Sequence, residues 1–191
     1  MKQIKITEIT PIGSHYKEKI ITLSNELIGF NYLTRGKLSI IRSDPGYILY
    51  TVHVKGIFAG FSLVKICKSE ELINELFIDE FFLKRIFPDK KKIAIVRISA
   101  LCKEFQGLGI WKKIEEYRFN SLKGKAESII RIYWDKERAL IKKNTDSYNY
   151  TILKEIPFYW SKDSIDKQYE CQICGKPPCK CKALVLVKFL E

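Results

Sequence analysis

The sequence predicts one domain of mixed α/β class with a small metal-binding loop near its C-terminus. Three observations lead there. Two segments rich in β-branched and aromatic residues, Tyr47 to Val54 and Ile57 to Ile66, meet at Lys55-Gly56 and read as an antiparallel hairpin, since glycine takes the positive φ of such a turn. A nearly continuous apolar run, Ile93 to Cys102, leads through a glycine-bearing loop into a helical pattern from Gly109 to Leu122. Four cysteines cluster between Cys171 and Cys181. At 191 residues the chain has the size of one domain, and such a domain buries about 70% of the surface its unfolded chain exposes, so residues 1–191 are read as one unit.

In chain order, Lys2 to Ile9 alternates apolar and polar residues, with Ile4 and Ile6 on one face of a first strand. His15 to Ile28 reads as a helix with an apolar stripe of Ile20, Ile21, Leu23, Leu27 and Ile28, and Gly29 is placed to end it. Leu33 to Arg42 is open between a short helix and a strand. Asp44-Pro45-Gly46 is a turn that leads into the hairpin. Ser69 to Phe87 reads as one helix: Ser69 as cap, Glu70 and Glu71 against the dipole, Leu72, Leu76, Phe82 and Ile86 on the stripe, and Pro88 as terminator.

In the central strand Ile93 to Cys102, alternation sets Arg97 and Ser99 on the face of Ile95 and Leu101, with the opposite face wholly apolar. In the following helix Ile110, Trp111, Ile114 and Tyr117 point one way. Strands are expected at Ser128 to Trp134 and Ala183 to Leu190, with a helix at Asp135 to Lys143 between them.

The N-terminus carries no apolar leader core, and no stretch approaches the ~18 apolar residues of a membrane span, so the expectation is a cytoplasmic protein without a membrane partner. There the six cysteines are read as reduced thiols, metal ligands or catalytic groups, with their spacing to decide. The formal charge of +12 suits an anionic partner, either an anionic cofactor or nucleic acid. His15 and His53 are read as structural or exposed, and neither Cys67 nor Cys102 is read as a nucleophile.

The loop Leu101-Cys102-Lys103-Glu104-Phe105-Gln106-Gly107-Leu108-Gly109-Ile110-Trp111 sets glycines between a buried strand and a helix start. Glycines let a ligand approach the backbone, and the free first-turn N–H groups with the helix dipole favour a phosphate. The GxGxxG and GxxxxGK[ST] patterns of dinucleotide and ATP loops are absent. Gln106, Gly109 and Trp111 stand where the GNAT superfamily has Gln or Arg, then Gly, then Gly or Ala, and the chain resembles that superfamily over most of Ile4 to Leu190. Trp111 departs from the small residue of that pattern. Turned to the core, its indole leaves the backbone N–H available, and turned inward it closes the site.

The resemblance implies a mostly antiparallel sheet split in a V between the fourth and fifth predicted strands, with 69–87 as an inserted helix. It implies acetyl-CoA, or another short acyl-CoA, as co-substrate. Leu101 and Cys102 would offer backbone hydrogen bonds to its pantetheine arm, and Gln106, Gly107, Leu108, Gly109, Ile110 and Trp111 would cradle its pyrophosphate. An amine-bearing acceptor would attack the thioester directly. Arg97 lies near the place where some relatives carry a glutamate base, and an arginine cannot accept a proton, so a water relay is expected. Tyr148, with Tyr150 beside it, is the expected acid for the departing thiolate.

Cys171, Cys174, Cys179 and Cys181 form C-x2-C, four residues, then C-x-C. The first pair turns two thiolates towards one point, Gly175 permits a positive φ, and Pro177-Pro178 stiffens the return, which suits a tetrahedral zinc ion. Four thiolates leave no open coordination position, so the zinc is expected to be structural. Two further readings stand beside the acyltransferase. One is a GNAT-like protein that modifies or binds nucleic acid, using the basic surface, the zinc loop and exposed rings such as Tyr159 and Trp160. The other is a non-catalytic module with a degenerate acyl-CoA site.

Overall fold

A computed structural model describes residues 3–9, 16–76, 78–87, 91–135 and 138–190. The first half runs β1 (Ile4–Ile9), α1 (Lys17–Leu27), β2 (Gly29–Phe30), α2 (Arg35–Ser43), β3 (Tyr47–Val54) and β4 (Ile57–Lys68). The hairpin forms as its sequence dictates, with Tyr47 opposite Lys65 at one end and Val54 opposite Ile57 at the turn. The open segment 33–42 resolves as a helix because Thr34 caps it, its hydroxyl accepting the Lys37 N–H at 3.3 Å. His15, read as the start of the first helix, lies outside the described residues.

The single helix expected over 69–87 is instead a 3-10 turn (Ser69–Glu71), α3 (Leu72–Leu76) and α4 (Glu80–Ile86). Asp79 restarts the helix by accepting the Phe82 N–H at 2.9 Å, while Ile78 between the two is buried. The apolar stripe was real, but it is shared by two short helices packed on one sheet face. Pro88 lies outside the described residues.

Next come β5 (Lys92–Leu101), a 3-10 turn (Lys103–Phe105), α5 (Ile110–Leu122), β6 (Ser128–Trp134) and α6 (Arg138–Tyr148). The helix expected at Asp135 to Lys143 is described from Arg138 and runs past Lys143, residues 136 and 137 lying outside the described residues. The chain ends with β7 (Thr151–Ile156), α7 (Ser161–Lys167), β8 (Glu170–Cys171) and β9 (Ala183–Phe189). Of these only β9 was expected. The seven-residue α7 and the two-residue β8 are too short to show a period, and β7 is an edge strand with half-exposed residues.

One seven-stranded sheet has the order β1-β3-β4-β5-β6-β9-β7, and every pairing in it is antiparallel except β5 with β6. A second, two-stranded sheet joins β2 to β8. A bulge falls in β5: Leu63 faces Ile98 and Val64 faces Val96, so Arg97 has no partner residue on β4. This overturns the simple alternation expected of the strand. Ile95 packs towards α3 and α4, whereas Leu101, beyond the bulge, packs with Ile110 and Ile114 of α5 on the other face. The extra residue also bends the strand, as bulges do.

Candidate functional site

Strands β5 and β6 pair only from Ile93–Ser128 to Val96–Arg131. Past the bulge, β5 stays with β4 as far as Leu101 while β6 stays with β9 as far as Trp134, so the two strands part company. A cavity of about 560 Å³ occupies the wedge between them, lined by Arg97 to Leu101 from one strand and Arg131 to Trp134 from the other. One end is bounded by Gln106, Trp111 and Glu115, the other by α1, α7 and the cysteine loop.

The first end is built from the glycine loop. Gly109 is the N-cap of α5 with φ 74° and no side chain to cap the helix, so the first-turn N–H groups of Ile110, Trp111 and Lys112 have no partner within it. The loop is pinned by the Gln106 amide, which donates to the Leu101 carbonyl at 2.8 Å. The Cys102 N–H donates to the Ala59 carbonyl at 2.8 Å and its own carbonyl accepts from the Phe105 N–H at 2.9 Å. The Cys102 N–H is therefore committed to β4, which leaves its carbonyl's second lone pair as the backbone group it can offer a pantetheine arm. Alternation along the strand turns the N–H groups of Leu101 and Ser99 the other way, into the split. Trp111 packs on the Leu101, Ile110 and Ile114 cluster and also lines the cavity.

Beneath this end lies a charged network. Glu115 is ion-paired with both Arg118 and Arg131, and Arg118 also donates to the Ser62 hydroxyl at 2.9 Å. Burial by itself would raise the Glu115 carboxyl, but the two guanidiniums outweigh it and hold the group below its ordinary value. Arg118 is fully buried. The network joins α5 to β4 and β6, fixing the helix start against the split.

At the other end, Tyr32, Trp134, Tyr159, Trp160 and Tyr169 contribute rings to the cavity. Tyr32 meets Tyr169 edge-on at 5.1 Å, and Trp160 meets Tyr159 at 4.9 Å and Trp134 at 6.0 Å. Tyr159 and Trp160, expected as exposed rings for nucleic acid, are half-buried here and face inward. Burial pushes the Tyr32, Tyr133 and Tyr159 hydroxyls upward, so they stay protonated at neutral pH. Arg97 pairs with Glu75 at 3.2 Å, and Asp163 pairs with Lys167 one turn along α7. Burial, then repulsion from Lys167, lowers the Lys37 ammonium to about 8; it lies over the Tyr32 and Tyr169 rings.

The tyrosines chosen from sequence are not part of this lining. Tyr148 packs on Phe119 at 5.7 Å, and Tyr150 is buried in the same cluster under α5 and α6. Packing of the end of α6 and the turn after it against α5 decides this, a contact between distant segments that the sequence does not mark. His53 stacks edge-on with Tyr16 and Phe58, a structural role.

No protein-family model matches the chain, and no curated protein matches it in sequence. Solved structures do match in shape. Arabidopsis thaliana NAA60 in complex with acetyl-CoA superposes with a TM-score of 0.69 at 10% identity, covering 98% of this chain and 99% of that one. The ribosomal-protein-S18-alanine N-acetyltransferase from Escherichia coli gives 0.66 at 9% identity, covering 99% and 95%. An acetyltransferase of the GNAT family from Streptococcus pneumoniae gives 0.59 at 13% identity, covering 99% and 100%. The fold is the GNAT fold. Among the described residues, no helix is long and apolar enough to cross a membrane.

On this GNAT scaffold the four cysteines form a knuckle between β8 and β9. Their sulfurs all lie within 4.8 Å of one another. Cys171 to Cys181 and Cys174 to Cys179 are 3.8 Å apart, and Cys174 to Cys181 is 3.3 Å. A tetrahedron with Zn–S bonds of about 2.3 Å has edges of about 3.8 Å, so the set fits that ion. Gly175 takes φ 75° as its place in the motif requires, and it exchanges both backbone hydrogen bonds with Cys171. The Ile173 and Lys180 N–H groups point at the sulfurs of Cys171 and Cys174, at 3.4 and 3.3 Å, an arrangement that favours thiolates. The sequence had located this motif in full but not its neighbours, because the segments that surround it are distant along the chain.

Proposed function

We propose that the protein is an acyl-CoA-dependent N-acyltransferase that uses acetyl-CoA or another short acyl-CoA, with a structural zinc in the cysteine knuckle. The observation that carries this reading is the junction at the donor end. Two strands part, the N–H groups of Ser99 and Leu101 turn into the gap, and an uncapped helix start meets the same gap. An extended arm can add to the open strand edge there while a pyrophosphate sits on the N–H groups of Ile110 and Trp111. The acetyl-CoA complex of NAA60 and the alanine N-acetyltransferase of E. coli, which share the fold, support it.

In this reading the acceptor enters from the aromatic end. Its neutral amine attacks the thioester carbonyl carbon, the C–S bond breaks, and the thiolate leaves with a proton supplied by the site. Both carboxylates that line the cavity among the described residues, Glu115 and Asp163, are ion-paired. The amine proton therefore leaves through water. Burial keeps the lining hydroxyls of Tyr32, Tyr133, Tyr159 and Tyr169 protonated, and of these Tyr133, on β6 at the split, and Tyr159 are the candidate donors to the thiolate. The acceptor is an amine on a body that tolerates an aromatic enclosure.

The test is calorimetric titration of the zinc-loaded protein with acetyl-CoA at moderate salt, so that non-specific attraction of phosphates is screened. Thiol release is then followed over a panel of aliphatic and aromatic amines, peptide N-termini, RNA and DNA. Saturable binding with amine-dependent thiol release supports the enzyme. Absence of binding means that the Trp111 indole closes the donor end.

A further inference from the structure

The knuckle is fastened to the cavity rather than appended to the domain. On one side, β8 pairs with β2, the short strand just after α1, with Gly29 opposite Cys171. The approach is so close that a Cβ on Gly29 would lie 2.3 Å from the Glu170 carbonyl oxygen. Gln172 adds two bonds to the same region, its N–H to the Ile28 carbonyl at 3.3 Å and its amide to the Asn25 carbonyl at 2.9 Å. On another side, the Cys179 N–H donates to the Ser164 hydroxyl at 2.8 Å, and Ser164 is a fully buried residue of α7. Trp134 of β6 and Trp160 pack directly on the sulfur cluster. Cys171 and Cys179 themselves line the cavity.

Three separate parts of the acceptor chamber therefore converge on one loop whose own regular structure is two residues of strand and a tight turn. Such a segment has little backbone ladder to order it, so the cross-link through the sulfurs must do so. The donor end shows no such dependence. Its ties, Gln106 to Leu101, Cys102 to Ala59 and the Glu115 network, run between β4, β5, β6, α5 and the glycine loop, and none of them passes through the cysteine loop.

We infer that a zinc ion held by Cys171, Cys174, Cys179 and Cys181 is the pin of the acceptor chamber: the aromatic half of the cavity is ordered only in the metal-loaded protein, while the donor half forms without it. The names of the two halves rest on the acyltransferase reading, but the structural asymmetry does not. Metal content is thereby a switch on the acceptor side alone.

The experiment compares zinc-loaded protein, protein stripped by a chelator under reducing conditions, and stripped protein given zinc again. Zinc is measured by stoichiometry, and cobalt substitution should give the visible spectrum of a tetrahedral thiolate site. On stripping, amide hydrogen exchange in β2, α7 and β8 should rise by at least about tenfold, while β5 and α5 keep their protection. Tryptophan fluorescence should shift to the red as Trp134 and Trp160 lose their packing. Acetyl-CoA affinity should stay within about twofold, because the two ends share no bonded partner. Zinc should reverse all of this. Cys174→Ser, at a ligand that does not line the cavity, should reproduce the stripped state.

Three results overturn the inference: no stoichiometric zinc, unchanged exchange in the chamber on stripping, or a uniform rise across the whole sheet, which would make the metal a global staple. If the zinc-loaded protein fails to bind acetyl-CoA but the exchange pattern is as described, the acyltransferase reading falls and the pinned chamber stands.

Discussion

The two ends of the cavity are made in different ways. The donor end comes from one continuous stretch, Leu101 to Trp111, shaped by near-neighbour bonds such as Gln106 to Leu101 and seated on the sheet by the buried Glu115–Arg118–Arg131 network. The acceptor end is assembled from α1, the α1–α2 connection, β6, α7 and the cysteine knuckle, which lie far apart in sequence. A local end can be held by backbone geometry and one or two hydrogen bonds. An end gathered from distant segments needs a cross-link or a buried network, because each segment brings its own conformational entropy.

The network under the donor end offers the largest effect. Glu115→Ala leaves the buried Arg118 and Arg131 facing each other without a carboxylate, and should destabilise the protein by about 3–5 kcal/mol in urea denaturation. A loss below about 1 kcal/mol would show that this end needs no network. The same carboxyl predicts an acid limb. Its native form binds a proton less readily than the unfolded chain does, at about 4.3, so its stabilisation is complete above that value and is lost as pH falls through the lower native one. Glu115→Gln should flatten the fall in stability below about pH 4.

The aromatic end comes next. Tyr133→Phe and Tyr159→Phe, made separately, should lower kcat by about 10- to 100-fold in at least one case, with acetyl-CoA affinity unchanged, while Tyr148→Phe should leave kcat intact. Loss of rate in the Tyr148 variant alone would move the acid back to α6. The glycine loop follows. Gly109→Val forces a side chain into φ 74° at a cost of about 1–2 kcal/mol, and acetyl-CoA binding should weaken by about tenfold. A Cβ at Gly109 would meet nothing within 4 Å, so unchanged affinity would mean that the backbone there makes no use of its left-handed turn. The smallest effect is expected from Gln106→Ala, which removes one loop bond and should weaken acetyl-CoA binding by about fivefold, or about 1 kcal/mol in calorimetry.

Much of the fold was legible because its signals are local. The hairpin from Tyr47 to Lys68 announces itself by β-branched residues and a glycine turn, and the glycine loop after β5 by its place between a buried strand and a helix. Less was legible where one residue alters a period. Arg97, in the bulge, moves Leu101 to the opposite face from Ile95, and nothing in the alternation of the strand marks it. Asp79 likewise divides a stripe that reads as one helix into α3 and α4.

By itself the sequence determined the order of the main elements, the open helix start at Gly109 and the spacing of four thiols, since each depends on residues within a turn or two of one another. Only the tertiary structure decided that β5 and β6 separate after Val96, that Cys102 spends its N–H on Ala59, and that Tyr32, Tyr133, Tyr159 and Tyr169, rather than Tyr148 and Tyr150, face the cavity. Those outcomes depend on strand register and on contacts between distant segments, where burial and pairing energies outweigh any local preference.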